Sequence, residues 1–120
     1  MFNFEKLETW HKAIAFADIV YDITKSFPHS ERFGLTSQLR RAAVSISSNI
    51  AEGSSRSSRP DFARYIEIAT GSLFEVVSQL AIARNQSFLG EVNHRKLSSL
   101  AEELIRMFSG LRKSLLKSSA

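Results

Sequence analysis

Three short breaks divide the chain into four stretches in which apolar residues recur every three or four positions. The breaks are Phe27-Pro28, the polar run 53–58 (GSSRSS) and Phe88-Leu89-Gly90. Spacings of three and four place side chains on one face of an α-helix, and proline, glycine and serine clusters interrupt helices. The sequence therefore predicts amphipathic helices over about 4–26, 30 or 36 to 51, 58–86 and 91–116.

Four such helices joined by short loops favour an all-α protein, an antiparallel up-down-up-down four-helix bundle. We expect one domain over residues 1–120, because neither an internal repeat nor a composition change divides the chain. Five glycines and two prolines are too few for the many turns of an all-β protein of this length. The last three residues, 118–120, are expected to fray.

Glycine and capping residues give more local expectations. Asn3 is a candidate cap for the first helix, and Ser58 with Pro60 is a candidate start for the third. Gly53 is expected just beyond the second helix with positive φ. Gly71, in the middle of the third helix, is expected where the second helix packs closely.

The first helix carries two apolar stripes. Its predicted inward face begins at Leu7 and Trp10 and ends at Tyr21, with Ile14 and Ala17 between them. A second stripe lies about 150° away, and apolar residues also lie off the main face of the third helix. A second apolar face favours subunit contact, so we predict a homo-oligomer. The candidate interface residues are Phe16, Ile19, Ile23, Ile68 and Ile82.

Enzyme signatures are weak. Glu8 to His11 and Glu91 to His94 are both Glu-x-x-His, a spacing that di-iron bundles use. In an antiparallel bundle the two motifs lie at opposite ends, about 30 Å apart, so they cannot share a metal ion. No phosphate loop, nucleophile elbow or cysteine is present. We predict a non-enzymatic protein with no catalytic residue, metal or cofactor.

Charge is the global indication of a partner. Residues 32–64 contain six basic and two acidic side chains, and residues 104–120 contain four basic and no acidic ones. Clustered basic charge attracts nucleic acid, and arginine donates paired hydrogen bonds to phosphate. RNA or DNA is therefore one expected partner. The alternative is a protein-interaction scaffold whose arginines form salt bridges. The candidate contacts are Arg40, Arg41, Arg56, Arg59 and Arg64.

The basic end of the fourth helix is also typical of membrane-surface helices. We expect no membrane binding, because Leu111 and Leu115 continue the inward stripe and cations are favoured at a helix C-terminus. The longest unbroken apolar run, 13–17, is far shorter than the roughly 20 residues that span a bilayer. The N-terminus lacks the pattern of a secretory signal, so we expect a cytoplasmic protein.

Three segments resemble one protein family over nearly the whole chain. They are FEKLETW at 4–10, FGLTSQLRRAAVSISSNIAEG at 33–53 and GSLFE at 71–75. They resemble the bacterial four-helix-bundle proteins, also called large-subunit rRNA intervening-sequence proteins, whose genes lie in inserts within rRNA genes. The resemblance implies a four-helix bundle, a ring-shaped homopentamer and no enzymatic activity. It also extends to the accessory protein of diversity-generating retroelements, which associates with nucleic acid.

Two positions depart from the family pattern. Ser47 stands where the family usually has proline, which implies a straighter second helix. Ser54 stands where an aromatic residue often follows the glycine that matches Gly53.

Overall fold

Four helices account for most of the chain in the computed structural model, which describes residues 1–117; the predicted fraying of 118–120 lies outside that range. α1 is Glu8–Thr24, α2 is Leu35–Ser54, α3 is Arg59–Asn85 and α4 is Glu91–Leu116. Short 3-10 turns, Asn3–Lys6 and His29–Glu31, precede α1 and α2. Each helix packs against the next, and α1 packs against α4. The predicted up-down-up-down four-helix bundle is confirmed.

Side-chain contacts between helices show the antiparallel arrangement. The hydroxyl oxygens of Ser45 on α2 and Ser72 on α3 are 2.9 Å apart. Nearer the start of α2, Gln79 Nε2 donates to Gln38 Oε1 at 3.4 Å. The paired residue numbers rise on α2 as they fall on α3. The start of α3 therefore lies beside the end of α2.

The inward face of α1 agrees only in part with the predicted one, since Ala17 is buried and Trp10 packs against the core as expected. Phe16 is only 1% exposed and is one of the largest buried side chains, whereas Tyr21 is 41% exposed. Ala13 and Ala17 are buried as well. Phe16 is therefore a core residue, and its assignment to a subunit interface was wrong.

The other candidate interface residues differ in exposure. Ile19 and Ile23 are partly buried and pack against the core. On α3, Ile68 and Ile82 are 46% and 49% exposed, and Phe74 is more exposed still. The unpartnered apolar surface of this chain therefore lies mainly on α3 rather than on α1.

Of the predicted helix ends, the cap at Ser58 is confirmed, and those at Asn3 and Gly53 are not. The Ser58 hydroxyl accepts a hydrogen bond from the Asp61 backbone N–H at 3.2 Å, as predicted for the start of α3. Asn3 instead begins a 3-10 turn, and α1 begins at Glu8. Gly53 lies inside α2 without positive φ.

Close helix packing, predicted at Gly71, occurs at Gly53 instead. A Cβ atom at Gly53 would lie 2.7 Å from Tyr65 Cβ and 2.8 Å from Phe62 Cδ1 on α3. A Cβ atom at Gly71 would have nothing within 4 Å. Close approach of α2 and α3 therefore depends on Gly53, and the expectation for Gly71 was wrong.

By length and composition alone, α3 is long and apolar enough to cross a membrane, and it is the one helix within residues 1–117 that passes this test. Core helices of soluble bundles pass the same test. In this fold α3 packs against both α2 and α4. It buries a stripe that includes Ile66, Leu73 and Leu80. We therefore describe α3 as a core helix of the bundle.

Candidate nucleic-acid interface

The five candidate arginines do not form one cluster. Gly53 on α2 lies beside Phe62 and Tyr65 on α3, which places Arg64 near the level of Gly53. Arg41 precedes Gly53 by twelve residues, or about 18 Å along the helix axis. The arginines therefore fall into two groups: Arg40 and Arg41 on α2, and the remaining three near the α2–α3 connection.

Arg40 is used to join α2 to α1. Its Nε donates to Thr24 Oγ1 at 2.9 Å. Its guanidinium carbon lies 4.7 Å from the centre of the Tyr21 ring. Because this side chain is half-buried and its Nε and Nη2 both donate within the fold, we leave Arg40 out of the candidate surface.

Arg41 is exposed and lines a shallow depression between α2 and α3 together with Ser45 and Glu75. Within residues 1–117 its side chain has no hydrogen bond or ion pair that meets ordinary distance limits. Any salt bridge that the scaffold alternative assigns to Arg41 would therefore form with a carboxylate of another chain.

Arg56 and Arg64 line a second depression where α3 begins. Its volume is about 280 Å³, and Asp61, Tyr65 and Ile68 complete its wall. The Arg56 guanidinium lies over the Tyr65 ring, 4.7 Å from its centre, and donates to the Tyr65 hydroxyl. Arg64 is exposed. This site therefore combines an aromatic face, two cations and one carboxylate.

Arg59 connects α3 to the end of α4. Its Nη2 donates to the backbone carbonyl of Ser114 at 2.6 Å, and its Nε donates to that of Leu115 at 3.3 Å. The last carbonyls of a helix lack intrahelical partners and carry partial negative charge, so a guanidinium stabilises them. The contact also places the second basic block of the sequence next to the first.

We call the resulting surface the basic end. It consists of the end of α2, the start of α3 and the end of α4. Residues 52–67 and 112–117 of this surface contain six basic and three acidic side chains. One cation, Arg112, is paired with Glu67 on α3, whereas Lys113 and Lys117 are exposed. The cations of the basic end are Arg56, Arg59, Arg64, Arg112, Lys113 and Lys117.

Sequence reasoning missed this convergence. It treated the basic residues after 104 as a separate feature that responds to the α4 dipole. The signal was available in the topology, because an antiparallel bundle places the start of its third helix beside the end of its fourth. The specific Arg59 contacts could not be read from spacing.

A lateral ion pair joins α1 to α4 away from the basic end. Lys12 Nζ lies 2.6 Å from Glu103 Oε1. The hydrogen bond and charge of Glu103 raise the pKa of Lys12, and those of Lys12 lower the pKa of Glu103. This pair links the first helix of the bundle to the last.

Metal-ligand geometry is absent from the described part of the chain. Residues 1–117 contain no group of three or more histidine, aspartate or glutamate side chains that could hold a metal ion. His11 Nε2 lies 2.6 Å from the Glu5 carbonyl oxygen near the start of α1. His94 lies in the first turn of α4, at the opposite end of the bundle.

Comparison with known proteins gives a family and a fold. A family model described as 23S rRNA-intervening sequence protein matches residues 5–110. A crystal structure at 1.70 Å of a protein of unknown function, from the S23 ribosomal protein family of Bacteroides thetaiotaomicron VPI-5482, superposes with a TM-score of 0.81. The two chains are 21% identical, over 88% of this chain and 95% of the other. No curated protein matches the chain.

These findings confirm the family resemblance and the bundle fold. Similarity to the retroelement accessory protein stays a prediction.

Proposed function

Since the chain belongs to the family of 23S rRNA-intervening sequence proteins, we propose that it is a non-enzymatic, cytoplasmic bundle that contacts RNA or DNA through the basic end. The observation that carries this proposal is the contact of Arg59 with the Ser114 and Leu115 carbonyls. That contact brings two basic blocks, distant in sequence, onto one surface. The family name adds a link to the intervening sequences of 23S rRNA.

Exposed cations are the groups that would meet a phosphate backbone. Arg64, Lys113 and Lys117 are exposed. Phosphate contacts release counterions, so the logarithm of the binding constant falls linearly with the logarithm of the salt concentration. Each phosphate contact contributes a slope of about 0.7 for single strands and about 0.9 for a duplex. A salt titration therefore counts the cations that take part.

We also propose that the protein acts as a homo-oligomer, a pentamer by the family resemblance. The exposed Ile68, Phe74 and Ile82 on α3 supply an apolar surface for subunit contact. A cyclic ring uses two different surfaces of each copy. Cyclic symmetry would place every basic end at the same height on the ring, so several would meet one nucleic acid together.

The test compares two double variants with the same charge change. Arg64→Gln with Lys113→Gln removes two cations from the basic end. Arg95→Gln with Lys96→Gln removes two exposed cations near the start of α4, at the other end of the bundle. Binding of labelled RNA and DNA is measured by fluorescence anisotropy across salt concentrations.

We expect the first variant to lower the salt slope by about 1 to 2 and the second to leave it unchanged. Equal slopes for the two variants would exclude the basic end as the contact surface. Absence of binding by the unmodified protein at low salt would refute nucleic-acid contact altogether.

The scaffold alternative keeps one supporting observation. Phe33 and Phe74 are large apolar side chains left exposed, and such groups also suit protein partners. A pull-down from native lysate with and without nuclease separates the two functions. Partners retained after nuclease treatment would favour the scaffold, and partners lost would favour nucleic-acid binding.

A further inference from the structure

The depression at the start of α3 contains more than positive charge. A surface that only follows a phosphate backbone needs cations, yet this wall includes the face of Tyr65, the apolar Ile68 and the Asp61 carboxylate. A carboxylate repels phosphate, so its presence beside Arg56 and Arg64 is unexpected for a simple anion site. An aromatic face and a hydrogen-bond acceptor are instead the groups that bind a nucleobase.

Tyr65 already presents its ring to a planar group. The guanidinium of Arg56 lies over that ring at 4.7 Å. Arg56 follows the end of α2 in the connection before α3, and its side chain is exposed. A flat base can take the place of the guanidinium on the ring or cover it. Only an unpaired base has a free face for this, because both faces are covered inside a duplex.

Asp61 determines which base edge fits. Its carboxylate accepts hydrogen bonds and donates none when ionised. Acidic side chains accept from the exocyclic amino group of cytosine. Uracil presents a carbonyl oxygen at the same position, and that oxygen would face the carboxylate without a proton between them.

We propose that this depression binds one unpaired nucleobase that carries an amino group on its pairing edge, cytosine being the pyrimidine of this kind. Tyr65 stacks on the base, Asp61 accepts from the amino group, and Arg64 contacts the adjoining phosphate. The inference rests on the proposed function, because it names the nucleic-acid class that the basic end would select: single strands rather than duplexes.

The first experiment tests stacking. Anisotropy is measured with oligocytidine of about 12 nucleotides, a length within the range of single-strand sites, and with a duplex of the same length. Tyr65→Leu removes the ring but keeps apolar bulk, and Tyr65→Phe keeps the ring. Tyr21→Leu is the matched control, because Tyr21 makes the same stack with Arg40 at the other end of the bundle.

We expect Tyr65→Leu to weaken single-strand binding about tenfold, as loss of one base–aromatic stack does. Tyr65→Phe, Tyr21→Leu and duplex binding by every variant should stay within about twofold of the unmodified protein. Circular dichroism establishes that each variant is folded. Equal weakening by Tyr65→Leu and Tyr21→Leu would overturn the stacking assignment.

The second experiment tests the base edge. The unmodified protein should bind oligocytidine more tightly than oligouridine. Asp61→Asn should bring the ratio close to one, because an amide both donates and accepts, while overall affinity rises with the loss of a negative charge. RNA and DNA strands of both compositions show whether the 2′-hydroxyl contributes.

The two proposals fail differently. Salt-dependent binding that ignores strandedness, base and Tyr65 would overturn the base site and leave the proposed function standing. Absence of binding to every strand at low salt would overturn both.

Discussion

Two glycines inside helices of this bundle should respond in opposite ways to the same substitution. Gly53 is buried near the end of α2, and an added Cβ would lie 2.7 Å from Tyr65 Cβ and 2.8 Å from Phe62 Cδ1. Phe62 is able to shift its ring, but Tyr65 Cβ is bonded to the α3 backbone. Relief of the overlap at Tyr65 therefore requires α2 and α3 to move apart.

The size of the effect follows from two opposing contributions. Adding a methyl group to a closely packed site costs about 1 to 3 kcal/mol. Replacing glycine by alanine inside a helix stabilises it by up to about 1 kcal/mol. Gly71→Ala gains the second contribution alone, because its added Cβ meets nothing within 4 Å. The difference between the two variants is therefore about 1 to 3 kcal/mol, with Gly53→Ala the less stable.

Urea denaturation followed by circular dichroism measures this difference at one fixed protein concentration, since oligomer stability depends on concentration. We expect Gly71→Ala to unfold at higher urea than the unmodified protein and Gly53→Ala at lower urea than Gly71→Ala. Coincident midpoints for the two variants would show that α2 and α3 do not meet closely at Gly53, and the reasoning would be refuted.

Three further substitutions test the core, the apolar surface and the lateral ion pair. Phe16→Ala should lower the unfolding free energy by about 3 to 5 kcal/mol; a loss below 1 kcal/mol in urea denaturation would place this ring outside the core. Ile68→Glu with Ile82→Glu should leave the fold intact by circular dichroism and reduce the mass measured by light scattering; an unchanged mass would exclude this face of α3 from subunit contact. Lys12 lowers the pKa of Glu103 in the folded protein. The ion pair therefore stabilises the fold at pH values above the unfolded-state pKa of Glu103, and this stabilisation is lost as the pH falls through the lower folded-state pKa. Urea midpoints of Glu103→Gln should therefore fall less on acidification than those of the unmodified protein, and parallel curves would contradict this.

The sequence predicts the number and order of helices well because the signals for helix ends are local. Pro28 follows the last turn of α1 by a few residues, and Ser58 caps α3 through its own side chain. These effects depend on neighbours within one turn. The bundle topology then follows from short connections.

The orientation of α1 is harder to predict, since two stripes compete for the core. The predicted face includes Tyr21, and the competing face includes Phe16. Tyr21 is stabilised at the surface by the guanidinium of Arg40, a partner on another helix. Periodicity within α1 contains no information about that partner, so it does not determine which of the two stripes is buried.

Partners across helices also separate the candidate arginines. Arg40 and Arg59 have the same charge as Arg41 and Arg64. Of these four, only Arg40 and Arg59 donate to groups on neighbouring helices within residues 1–117. Sequence can identify a basic segment, but the acceptor of each guanidinium is a property of the folded chain. Sequence therefore identifies the basic segments, and the fold shows which of the candidate arginines donate to groups on neighbouring helices.

The dual position of Arg59 decides how the proposed surface must be tested. Its guanidinium holds the last carbonyls of α4, so replacing it removes a charge and also loosens the helix end that presents Lys113 and Lys117. Loss of binding by an Arg59 variant would not distinguish a phosphate contact from displaced lysines. Arg64 and Lys113 are exposed and make no such contact with a helix terminus within residues 1–117, so a change in salt slope on their removal reports on phosphate contact itself.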